Sequence, residues 1–141
     1  MTRKAAIKML TVEVRELLRE HDIVVSRDKF VSSVGRAWVD ERNRHRIKVP
    51  PLTTIQNIYV VFHEIAHAIL GHYEDISKTD YIQEYEAERW ALNKLKEFDI
   101  HKHFPEDYIM AEKSAKMYVF SYMIKEEGEI RTSIKNWILK F

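Results

Sequence analysis

Cysteine is absent from this 141-residue chain, which excludes a disulfide framework, a thiolate metal site and a cysteine nucleophile. Any metal chemistry must therefore use histidine and carboxylate. Glycine and proline are scarce, three of each, so punctuation is rare and the segments between are long. There is no apolar run near the roughly 18 residues of a membrane span. The opening MTRKAAIKMLTVEVRELLRE is broken by charges and lacks the apolar core of a signal peptide, so a cytoplasmic protein is expected. Repeats, linkers and low-complexity tracts are missing too.

What is present fits one folded domain. Apolar residues make up 45% and charged residues 32%, and the length suffices for a core without staples. Net charge is only +1, but residues 1–49 hold twelve Lys/Arg against seven Asp/Glu, and residues 50–100 hold four against nine. A basic first third is most simply a solvated face; the other reading is a patch that steers an acidic partner.

Hydrophobic spacing predicts an amphipathic helix over 3–20, with Ile7, Leu10, Val14, Leu17 and Leu18 on one face. A short β-prone run follows at 23–25. Alternation on both sides of the polar turn 41–44 predicts a hairpin from 34–39 and 45–49, in a small antiparallel sheet. Pro50-Pro51 ends it, and Thr53 or Thr54 caps the next helix. Asp80 with Gln83 has the form of a capping box opening a helix to about Phe98. Pro105 opens another to about Glu127, closed by Gly128, and the last covers 129–140. The expected class is α+β, a single domain: 1–51 for the first helix and sheet, 52–99 for two site helices, 100–141 for terminal helices.

The chemistry is concentrated in TIQNIYVVFHEIAHAILGH, residues 54–72. His63-Glu64-Ile65-Ala66-His67 is an HExxH sequence on an expected helix. Residues four apart stack on one face, so both imidazoles reach one ion, while Glu64, about 100° round, stands beside it. Two neutral His ligands and a carboxylate that takes a proton from an activated water are what a zinc hydrolase needs. A third ligand is required. The longer HExxHxxGxxH pattern is excluded by Leu70 and Tyr73. His72, about 140° from His67 on a continuous helix, is expected to be a surface or helix-end histidine. Glu84 and Glu88 in EYEAERWA share a face, with Ala87 and Ala91 as a small-residue stripe. Glu84 is the expected ligand, with Glu86 as the alternative. Glu88 is expected to accept a ring N–H from His63. For an oxyanion, His45, Tyr73, Tyr81 and Tyr85 are possible donors.

HEIAHAILGH followed by EYEAERWA resembles the ImmA/IrrE family of zinc metallo-endopeptidases, from about Leu52 to Leu92. The resemblance implies one Zn2+ per chain held by His63, His67 and Glu84, with Glu64 as catalytic base. It also implies a protein substrate, a helix-turn-helix repressor of a phage or mobile element. No separate DNA-binding helix-turn-helix module is read in the sequence and no apolar run is long enough for a membrane, so neither direct nucleic-acid binding nor a membrane partner is expected. Trp90 stands where the family usually has Phe, Glu88 where related proteins often have Asp, and Asn93-Lys94-Leu95-Lys96 is more polar than usual. The alternative is a zinc-bound regulatory module that binds a repressor or another protein without cutting it.

Overall fold

The computed structural model describes residues 1–26, 35–73 and 79–140. The elements are α1 (Arg3–Glu20), β1 (Ile23–Val25), β2 (Arg36–Val39), β3 (His45–Lys48), α2 (Ile55–Ile69), α3 (Asp80–Glu97), α4 (Ile100–His103), α5 (Pro105–Met123) and α6 (Thr132–Leu139). Helices dominate beside one small sheet, the α+β class expected. Val34, at the start of the expected hairpin, most of the loop 73–79 and Phe141 lie outside the described residues.

α2 is the centre. Ten of its fifteen residues are buried, from Ile55 to His67. It packs on α1, α3, α5 and both strands of the hairpin. A helix that is apolar nearly all round can only live inside, so the histidines on it are held in the interior. Thr54 starts it, its Oγ1 accepting from the Asn57 N–H at 3.0 Å. Ala87 and Ala91 of α3 are fully buried, as a close helix approach requires.

The sheet differs from expectation. β2 and β3 form the antiparallel hairpin, with Trp38 opposite Arg46, but β1 runs parallel to β3 and the order is β1-β3-β2. Alternation shows which face of a strand is buried, here Ile23 and Ile47, and not which way it runs. Three boundaries also move. Thr79, not Asp80, occupies the N-cap of α3, so Asp80 lies in the first turn and no capping box forms. Gln83 instead donates to the His72 carbonyl at 3.1 Å. α5 ends at Met123, since three-residue turns at Lys125 and Glu126 replace the helical ladder. α6 begins at Thr132, because Arg131 is still extended (ψ 126°) while its carbonyl accepts the first helical bonds, from Ile134 and Lys135. The short α4 follows a left-handed Asp99 (φ 57°) that periodicity does not reveal.

The main core joins α1, the sheet and α2 to α5. A smaller one gathers Tyr81, Val119, Ile134 and Ile138, and Trp137 packs on both.

Candidate metal centre

Two helices supply the centre. Nε2 of His63 and Nε2 of His67 lie 3.1 Å apart on α2. Oε2 of Glu84 on α3 is 3.0 Å from the first and 3.2 Å from the second. Nearly equal sides suit a shared ion: bonds of about 2.0–2.1 Å at tetrahedral angles set donors about 3.3 Å apart. That Oε2 is buried and has no aligned hydrogen-bond donor. A buried carboxylate oxygen without a proton to accept is costly alone and well placed against a cation. His63, His67 and Glu84 can thus hold a metal ion.

Glu64 stands outside this triangle. Its Oε1 is 3.7 Å from Nε2 of His63, and the residue is buried. Burial raises its pKa; His63 and His67 oppose the rise, and Glu84 adds to it. For Glu84, burial also pushes upward, but the facing rings of His63 and His67 outweigh it and hold the carboxyl at about 2. His67 is the mirror case: burial disfavours its charge, yet Glu84 and Glu64 lift its pKa above the ordinary value.

The supports differ for the two rings. Oε1 of Glu88 is 3.1 Å from Nδ1 of His63, the nitrogen left over when Nε2 faces an ion, although the two are not aligned as a hydrogen bond. Burial lifts the Glu88 carboxyl to about 8. Behind His67 stands His72, expected as a surface or helix-end histidine: it does sit at the end of α2, but it is not at the surface. Its ring is wholly buried, Nδ1 to Nδ1 at 2.8 Å from His67, and its Nε2 lies 3.0 Å from Oε1 of Glu86. The cause is the end of α2. Gly71 is left-handed (φ 67°), and the His72 and Gly71 N–H groups return to the carbonyls of His67 and Ala68. This Schellman turn swings His72 back over the last helical turn. Angular projection along a continuous helix fails at that point, and Gly71 itself was the available signal. Glu86, the alternative ligand, is engaged with His72, away from the triangle.

A cleft of about 330 Å³ opens onto His63 and Glu64, walled by Gly35, Val60, Ser114 and Tyr118. A Cβ on Gly35 would lie 2.7 Å from the Glu64 Cγ. Of the four possible oxyanion donors, only Tyr73 adjoins the cluster, its ring 6.0 Å from that of His67. The Tyr81 hydroxyl is engaged by Arg131, Tyr85 packs on Trp137, and no described contact joins His45 to the site. Sequence reasoning missed Tyr118, whose ring meets His63 at 5.7 Å and whose hydroxyl is 3.3 Å from that of Tyr122. It sits on α5, at a spacing that reads as ordinary core. Burial, with the nearby carboxylates, raises the pKa of both Tyr73 and Tyr118, so each hydroxyl keeps its proton.

Compared with family models, with curated proteins and with solved structures, the chain matches none. The likeness of its motifs therefore stands on the residues alone.

Proposed function

We propose that the chain is a zinc-dependent endopeptidase that hydrolyses a peptide bond in a specific protein. The observation that carries this reading is the position of Glu64: a buried carboxylate beside three convergent donors, facing a cleft, and not one of the donors. A purely structural ion needs four protein ligands and no such neighbour; among the described residues three converge, and three ligands with an adjacent base suit hydrolysis. Two His of an HExxH helix with a Glu ligand, and a Glu base beside them, are the donor set of hydrolytic zinc.

A bound zinc would polarise the scissile carbonyl and acidify a water molecule. The chain's own groups do the rest. Glu64 takes the proton of the attacking water and delivers it to the leaving amide nitrogen, so the C–N bond breaks to a carboxylate and an amine. Tyr118, whose ring meets His63, and Tyr73, whose ring lies by His67, keep their protons and are the groups to donate to the carbonyl oxygen as it gains charge. Among the described residues no strand pairs with the outer edge of β2, which starts at the cleft beside Gly35, so an extended peptide has a backbone edge to join. The likeness of HEIAHAILGH and EYEAERWA to the ImmA/IrrE family adds the substrate class, a helix-turn-helix repressor of a phage or mobile element. No helix among the described residues is long and apolar enough to cross a membrane.

The test is co-expression of such a repressor with wild type and with Glu64→Gln. Repressor fragments with wild type and none with Glu64→Gln support the peptidase. Intact repressor with equal derepression by both forms would replace it with a module that binds without cutting.

A further inference from the structure

The outer face of α5 belongs to neither core. Ala111, Ala115 and Val119 point inward, whereas Met110 is 57% exposed, Met117 71%, Phe120 50% and Ile124 68%. With Lys113, also exposed, these positions are spaced three, four, three and four apart. That is the spacing of a coiled-coil seam, Met110, Met117 and Ile124 alternating with Lys113 and Phe120. The seam runs about 21 Å along the helix at 1.5 Å per residue. Ile109, 50% exposed, widens it.

We infer that this face is the contact between two copies of the chain, packed α5 against α5 across a two-fold axis near Met117. Area supports a second copy. At roughly 200 Å² for a large side chain, the five apolar residues expose roughly 600 Å². That is at the upper end for a patch on a monomer, and two copies covering each other remove about 1,200 Å², the lower bound of a standard interface. The lone charge in the seam sets the direction. An antiparallel crossing brings Met110 near the second copy's Ile124 and lays Lys113 near its Phe120 ring, a favourable cation–aromatic contact. A parallel crossing would stack Lys113 on Lys113. Ser114 and Tyr118, on the adjoining face of the same helix, wall the cleft, so the second α5 lies along the cleft's rim. The inference does not depend on the peptidase reading.

Sedimentation of the full chain from about 1 to 100 µM tests it. The expected species has twice the 16.9 kDa of one chain. Met117→Glu should raise the dissociation constant at least ~30-fold, the effect of losing an interface hot spot, with helix content and metal binding unchanged. If Met117→Glu unfolds, Ile124→Glu at the seam's end gives the same readout. Because the chain has no cysteine, Met117→Cys should cross-link to itself on oxidation and Lys113→Cys should not. A wild type that stays monomeric throughout, including one that binds only another protein's helix, overturns the inference. So does a dimer untouched by both glutamate variants, and self-cross-linking at Lys113→Cys overturns the antiparallel arrangement.

Discussion

Gly35 and Glu64 stand so close that no side chain fits between them: a Cβ at 35 would sit 2.7 Å from the Glu64 Cγ and 3.1 Å from a Val60 methyl. Neither neighbour is the loose end of a long side chain. Gly35→Ala should therefore displace Glu64 while leaving His63, His67 and Glu84 in place. The expected result is a loss of about 100-fold in kcat/KM, the scale of a 1 Å misplacement, with zinc content unchanged. Equal loss of zinc would show that the glycine serves the fold instead.

His72 should act on zinc through His67. Ion binding fixes Nε2 of His67 on the metal side, so its Nδ1–H donates to His72, whose own Nε2–H then donates to Glu86. His72→Leu is expected to weaken zinc binding 10–100-fold, the usual effect of removing such a support. His72→Asn, which keeps an acceptor near the Nδ1 position, should recover part of it. Competition against a chromophoric chelator measures both; indistinguishable affinities would remove the role.

Much of this was legible in the sequence, and the limits have physical causes. HExxH and the helical period placed His63 and His67 on one face and Glu64 beside them, because both depend on local geometry. Glu84 and Glu88 were reachable through the same period on α3. Tyr118 was not, since its approach to His63 depends on how α5 crosses α2, which no local pattern records. The burial of His72 behind His67 was missed for the opposite reason: a local rule was extended one residue past Gly71, where the backbone reverses its hand. β1 lacked any signal of direction.

Glu88 yields a pH prediction for the metal-free chain. Its folded pKa is raised from 4.5 to about 8 by burial. Between those values the folded state binds more protons than the unfolded one, so this group makes stability fall as pH rises. Denaturant titrations of the apo protein from pH 5 to 8 should show that decline, and Glu88→Gln should flatten it. A wild-type profile parallel to that of the variant would mean Glu88 stays ionised beside His63.

Asp40 has the opposite sign. It accepts from Arg46 Nε at 2.6 Å, from Arg44 Nε at 3.1 Å and from the Arg42 and Arg44 N–H groups. The Arg46 contact leads in holding its carboxyl well below the usual range. A depressed folded pKa gives stability that is present above the unfolded value near 4 and disappears as pH falls. Asp40→Asn should thus be less stable than wild type at pH 7, with the gap closing in acid. Thermal melts at the two pH values decide it, and a gap independent of pH would contradict the assignment.

Metal content per chain, by elemental analysis of protein purified without chelator or nickel, tests the central claim most directly. About one zinc per chain is expected in wild type and in Glu64→Gln, and a large loss in His63→Ala, His67→Ala and Glu84→Ala. Absence of zinc from wild type, after zinc has been offered and the excess removed, would contradict it.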